Sequence, residues 1–227
     1  MVQFYYAENS GGEIVEAADI VPEDRHKYAD LVCPGCKEPM TAAVGEVVES
    51  HFRHKVGEHC SDYFAQVIEK TIAHSHRQRQ ANNQPYDLIV PGGKVINLAK
   101  SDAVLEQHET NSGFRVDLRF RTKVGQIDVV VSRRETDMQM LKHMEGFCIG
   151  VDAQIAQARG EQNLVKLFKI GIDTNKLFVE FYKEGQKQFS IQRGKPPKNS
   201  MTAKERLKKQ PGESTEDYRF RLLGKRS

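Results

Sequence analysis

The chain has 227 residues, 38% of them hydrophobic and 29% charged, with no tryptophan and a formal net charge of +3. That length allows one good core, or one core with a small metal-held module, and that composition excludes a disordered or fibrous chain. No run of about 18 apolar residues occurs, which argues against a membrane-spanning helix, and the opening MVQFYYAENSGGE has no basic region followed by an apolar stretch, so the expected compartment is the cytoplasm, where disulfides do not persist.

Residues 2–21 alternate in hydrophobicity about a turn at Asn9–Glu13 and predict a hairpin. The next segment concentrates metal-binding residue types. Of the four cysteines and eight histidines in the chain, three of each fall between Cys33 and Cys60. CPGC holds two thiols on one tight turn, for which Pro34 and Gly35 supply the geometry. A zinc site needs two further ligands at the same point, and His51 and His54 are the nearest pair, with Cys60 and His59 in reserve. Between the pairs, Thr41–Val44, a turn at Gly45-Glu46 and then Val47-Val48 predict a short hairpin, which is the layout of a zinc ribbon. A redox role for CxxC competes with this reading, but a redox pair opens a helix and no helix follows here. The expected site is structural, and so small a module folds only with its metal.

From Ser61, the stretch SDYFAQVIEKTIAHSHRQRQ places Phe64, Val67, Ile68 and Ile72 on one helical face, with Ser61 and Asp62 as cap candidates. Its basic end, with His74, His76, Arg77 and Arg79, suits the negative end of the helix dipole. His74 and His76, two apart, point to different faces and do not make a ligand pair. Two short strands follow about Pro91–Gly93, then a stretch around AVLEQHETNSG that reads as strand or irregular chain. FRVDLRFRTKVGQIDVVVSRRE predicts a hairpin with Phe114, Val116, Leu118 and Phe120 on one side and a central return strand, Ile127 to Ser132. A short helix at MQMLKHMEG, a buried strand at FCIGVDA in which Cys148 is a small core residue, a helix at IAQARGEQNLVKLFK and a strand at KLFVEFY complete a mixed sheet.

The charge is unevenly spread. Residues 193–227 carry eleven Lys or Arg against four Asp or Glu, a net +7, which leaves −4 for residues 1–192. Capping patterns at Thr202/Glu205 and Ser214/Asp217 predict two short basic helices there. Arg219, Phe220, Arg221, Lys225 and Arg226 suit backbone contacts and stacking on nucleic acid, and equally a docking segment for a protein partner.

On the central hairpin, Asp117 and Asp128 lie on successive strands and can sit side by side across the ladder. Two readings stay open. Lys123, Arg119 or Arg121 can neutralise them, or the two carboxylates can hold Mg²⁺ or Mn²⁺, which polarises a phosphodiester and supplies hydroxide for attack.

The order CPGC, HFRHK, HCS opening a helix, RVDL, QIDVVVS and GFCIGVD resembles the competence protein CoiA family over roughly residues 25–182. The resemblance implies a zinc-ribbon module joined to a nuclease-like domain of the PD-(D/E)XK restriction-endonuclease fold. Carried over, Cys33, Cys36, His51 and His54 match the metal pairs, and Asp117 and Asp128 match the acids of successive strands. The Lys or Gln expected two residues after Asp128 is replaced by Val130. A helical acid is also implied, for which Asp62 and Glu69 are available, and Lys70 on the same helix is a candidate for the missing positive group.

The expectation is thus an α/β protein of the α+β kind: a β-hairpin and zinc-ribbon module over residues 1–60, a mixed-sheet restriction-endonuclease-like domain over 61–192, and a basic tail over 193–227, partly helical or disordered. The expected function is DNA binding, single- or double-stranded, with metal-dependent cleavage through Asp117, Asp128 and Lys70. The alternatives are a catalytically silent module acting by recruitment and a purely structural zinc protein.

Overall fold

The computed structural model describes residues 4–44, 50–54, 60, 62–109, 115–158, 164–176 and 178–188. The fold is mixed α and β. Strands β1 (Tyr6–Glu8) and β2 (Ile14–Glu16) form the expected first hairpin. After 3-10 turns at Pro22–Tyr28 the chain enters β3 (Met40–Ala43), which pairs antiparallel with β4 (His51–His54). The return strand therefore contains the two histidines themselves; the expected turn and Val47-Val48 lie outside the described residues.

Helix α1 (Tyr63–Ala81) follows. Its predicted apolar face is the buried one: Val67, Ile68 and Ile72 are fully inaccessible and Phe64 nearly so. Burial of each such side chain contributes about 1.5–3 kcal/mol, so packing rather than capping sets the helix. Asp62 is the N-cap residue and makes no side-chain cap bond. Strands β5 (Asp87–Ile89) and β6 (Val95–Asn97) pair antiparallel, as the turn at Pro91–Gly93 predicts.

The central sheet begins with β7 (Asp102–Glu109), β8 (Arg115–Thr122) and β9 (Gly125–Ser132), an antiparallel meander. Helix α2 (Glu135–Met140) crosses over to β10 (Phe147–Asp152), which runs parallel to β9. The stretch predicted as one helix at IAQARGEQNLVKLFK contains α3 (Ala153–Ala158) and α4 (Leu164–Phe168), with residues between them outside the described set. Strand β11 (Gly171–Asp173), absent from the sequence reading, runs parallel to β5. Strands β12 (Val179–Lys183) and β13 (Gln186–Gln188) complete a six-stranded sheet in the order β13-β12-β10-β9-β8-β7.

One hydrophobic core runs through all of this. Phe4, Tyr6, Leu31, Cys33 and Phe52 from the N-terminal hairpins belong to the same buried cluster as Ile68 and Ile72 of α1 and Val129, Ile149 and Phe181 of the sheet. The hairpins are also fastened by polar contacts: the Tyr6 amide donates to Tyr63 Oη at 2.8 Å, and Tyr63 Oη donates to the Tyr6 carbonyl at 3.0 Å. The described parts of the two N-terminal hairpins thus share their core with α1 and the central sheet. Chain contacts define one unit at Met1–Ser190 and a second at Ile191–Ser227, which lies outside the described residues.

The alternation expected on β8 does not run its whole length. Leu118 and Phe120 face the main core with Val129 and Ile127, their partners on β9. Val116 instead joins a smaller cluster with Val130, Leu141, Met144, Cys148 and Tyr182. The β8–β9 ladder extends only as far as Leu118↔Val129, and β7 shows a register irregularity between Leu105 and His108 opposite the same point. A break of this kind shifts side chains from one sheet face to the other, and Asp117 is the residue at the break.

Candidate metal centre and carboxylate sites

The CPGC turn is closed by the Lys37 amide donating to the Cys33 carbonyl at 3.0 Å and by the Cys33 amide donating to the Glu38 carbonyl at 2.8 Å. Cys33 Sγ, Cys36 Sγ and a ring nitrogen of His54 all lie within 4.8 Å of one another, the one group of three or more such ligand atoms among the described residues. In a tetrahedral zinc site with Zn–S near 2.3 Å, sulfurs stand roughly 3.8 Å apart, so small adjustments close the cluster on an ion. His54 stacks on Phe4 with ring centroids 4.6 Å apart, and its Nε2 is buried without a hydrogen-bond partner among the described residues. A buried acceptor or donor left unsatisfied is costly. These residues can hold a metal ion such as zinc.

His51 is not part of this group. On a strand, side chains alternate between faces, so positions 51 and 54 point to opposite sides of β4. His51 shares its face with Arg53, whose Nε donates to His51 Nε2 at 3.0 Å, and it is buried there. Cys60 lies against the CPGC turn without joining that group: a Cβ added to Gly35 would collide with Cys60 Sγ and stand 2.9 Å from the Tyr63 amide nitrogen. The glycine in CPGC is thus required by the approach of Cys60 and the first turn of α1. Burial pushes the Cys33 thiol up to about 12 and raises Cys60 as well, so in the absence of a cation both stay protonated. His59 lies outside the described residues.

The two sheet acids are not side by side. Asp128 stands opposite Arg119 in the ladder, and the pair is bidentate, with Arg119 Nε donating to Oδ1 at 2.8 Å and Nη2 to Oδ2 at 3.1 Å. Gln126 Nε2 donates to the same Oδ2 at 3.2 Å. Of the neutralising partners anticipated in the sequence, Arg119 is the one in place.

Asp117, turned by the ladder break, meets Glu69 of α1. Its side chain is fully buried; Oδ2 accepts from the Val131 amide at 2.7 Å, and Oδ1 accepts from Arg115 Nε at 2.8 Å and Arg133 Nη1 at 2.9 Å. Arg133 Nη2 donates to Glu69 Oε2 at 2.8 Å, and Arg115 Nη2 is 3.7 Å from the same oxygen. Burial, and secondarily the Asp117 charge, raise the Glu69 carboxyl above its ordinary range, while Arg133 and Arg115 oppose the shift. Asp117, Arg115 and Arg133 line a cleft of about 350 Å³ that also includes Val130, Arg134, Asp137 and Met140.

Lys70, one residue beyond Glu69 and about 100° around the helix, points to the N-terminal hairpin. Its Nζ is 2.6 Å from Glu8 Oε1, and Lys37 Nζ is 2.5 Å from Glu8 Oε2. It fastens α1 to β1 and does not stand in for the missing Lys of the sheet. The sequence reading did not single out Arg133; its signal is the basic pair Arg133-Arg134 directly after the return strand.

Fold and cluster together define an α+β protein with a three-residue Cys/His site able to hold a structural metal, and no helix among the described residues is long and apolar enough to cross a membrane. Comparison with family models, with curated proteins and with solved structures finds no match.

Proposed function

We propose that the chain is a CoiA-like nucleic-acid-binding protein in which a zinc-held N-terminal module is built into a nuclease-like sheet that recruits DNA without cutting it. The observation that carries this reading is the state of the sheet acids. Mg²⁺ and Mn²⁺ sites need carboxylate oxygens to spare. At Asp117 one oxygen is taken by two guanidinium groups and the other by a backbone amide. At Asp128 both oxygens are taken by Arg119. Val130 occupies the position of the expected Lys or Gln, and an alkyl group gives no stabilisation to charge developing on a phosphate. Support for the nuclease-like order comes from α1, the β7–β9 meander, α2 and the parallel β10. Support for DNA comes from the resemblance and from the +7 charge of residues 193–227. In this reading Cys60 is the fourth zinc ligand, closing the tetrahedron as structural sites do.

A second reading, a Mg²⁺- or Mn²⁺-dependent nuclease, is favoured by the convergence of Glu69 from the helix and Asp117 from the sheet. Labelled single- and double-stranded DNA incubated with the full chain in Mg²⁺, Mn²⁺ or chelator separates the two. Binding without strand cleavage is expected. Cleavage that requires metal and disappears in Asp117→Asn would replace the recruitment reading with the nuclease.

A further inference from the structure

A second cleft, of about 390 Å³, lies along α1 away from both clusters. Thr71, His74, Ser75, Gln78 and Asn82 line it at spacings of three, four and seven residues, so they share one helix face. Glu13 and Ile14 close one side, and Arg79, Gln84 and Lys169 another.

The lining is rich in donors and nearly free of carboxylates. From Lys70 to Gln84 the sequence has no Asp or Glu. Glu13 supplies the one carboxylate among the lining residues, and it is engaged by Asn9 Nδ2 at 3.1 Å and approached by His74 Nε2 at 3.7 Å. Arg79 is fixed by donating to the carbonyls of Lys169 at 3.0 Å and Pro85 at 2.9 Å, which orients its guanidinium without neutralising it. Lys169 is exposed and makes no side-chain ion pair among the described residues. Thr71, 2% exposed, leaves its Oγ1 without a hydrogen-bond partner among the described residues, although it lines the cleft. An unsatisfied buried hydroxyl is a group that a bound acceptor would complete.

We propose that this cleft is a phosphodiester subsite, taking a backbone phosphate of a nucleic-acid strand against Lys169, Thr71 and Gln78. The inference rests on the nucleic-acid-binding reading above and deepens it by naming where the strand lies. The charge balance of the lining side chains favours an anion over a neutral polyol: Glu13 is the one carboxylate among them, against the cations of Arg79 and Lys169. The open cleft and the amides of Asn82 and Gln84, at and just past the end of the helix, favour a phosphate with sugar and base attached over the free ion. Hydroxyl, amide and Lys or Arg donors are the groups that proteins bring to nucleic-acid backbones.

The test is fluorescence anisotropy with a labelled single-stranded oligonucleotide on the full chain across a salt series, with inorganic phosphate as competitor. Lys169→Glu is expected to weaken binding about tenfold near 0.1 M salt and to lower the log–log salt slope by about 1, because one phosphate contact is lost. Lys94→Glu on the β5–β6 turn makes the same charge change outside the cleft and should weaken binding less than about threefold. Thr71→Val removes the hydroxyl while keeping the shape, so it should weaken binding without lowering the melting temperature. Unchanged affinity and slope in both Lys169→Glu and Thr71→Val, with the parent chain binding normally, would overturn the subsite alone. Absence of oligonucleotide binding by the parent chain would overturn the subsite and the nucleic-acid reading together. Competition by millimolar inorganic phosphate as strong as that by unlabelled oligonucleotide would overturn the assignment to a strand.

Discussion

Arg133→Met removes the guanidinium that bridges Glu69 and Asp117 while keeping most of the side-chain volume. In the parent protein that group donates to Glu69 Oε2 at 2.8 Å, Asp117 Oδ1 at 2.9 Å and the Val131 carbonyl at 3.0 Å. Its side chain is 10% exposed, and those of its two acid partners are 9% and 0% exposed, so neither solvent nor salt screens the pair effectively. Removing one partner of a buried pair costs about 3–5 kcal/mol because the other charge is left uncompensated. Asp117 keeps Arg115 and the Val131 amide, which places the expected loss at the low end, about 3 kcal/mol. For a domain of this size that corresponds to a fall in melting temperature of about 6–12 °C. Adding Glu69→Gln removes the stranded charge, so the double variant should recover a substantial part of the loss. Thermal denaturation followed by circular dichroism at neutral pH measures both. A melting temperature for Arg133→Met within about 2 °C of the parent, or additivity of the two substitutions, would refute the account of the quartet as a coupled unit.

Other groups give independent checks. His76 is buried, with Nε2 donating to the carbonyls of Leu98 at 2.9 Å and Ser101 at 3.2 Å and Nδ1 unpartnered among the described residues, and burial lowers its pKa. A depressed pKa means that the folded state resists protonation, so this contribution to stability is present above about 6.5, the unfolded value, and is lost as pH falls through the folded value. The melting temperature should therefore drop on acidification from pH 7.5 to 5, and less in His76→Gln; equal drops would contradict the assignment. Gly150 of β10 leaves no room for a side chain, since a Cβ there would collide with Leu141 Cδ1 and stand 3.0 Å from Met138 Cε. Gly150→Ala should cost about 2 kcal/mol, or roughly 4–8 °C in melting temperature, and an unchanged melting curve would show that α2 is more loosely packed than described.

Much of the architecture was legible because the information is local. The spacing of Phe64, Val67, Ile68 and Ile72 defines the buried face of α1, and the alternation of Leu118 and Phe120 leading into the turn at Lys123-Val124 defines the central hairpin. CPGC declares its own turn. Three-residue strands such as β11 and β13 are too short to show a period, and the pairing of β11 with β5 is decided at long range. The two histidines illustrate a subtler limit: a spacing of three suits a shared ligand point on a turn, and on a strand it separates the residues to opposite faces. That hairpin was expected, but with its return strand at Val47-Val48, so the consequence for His51 was hidden. The acid quartet was illegible for a different reason. Glu69 and Arg133 are 64 positions apart, and Asp117 reaches them only because the ladder breaks beside it.

The measurement that tests the central claim most directly is the zinc content of the purified chain after a chelator wash, by elemental analysis, for the parent and for single variants. The account predicts about one zinc per chain in the parent and in His51→Ala, and loss of zinc in Cys33→Ser, His54→Ala and Cys60→Ser. A parent chain without metal, or zinc lost in His51→Ala and kept in His54→Ala and Cys60→Ser, would contradict it.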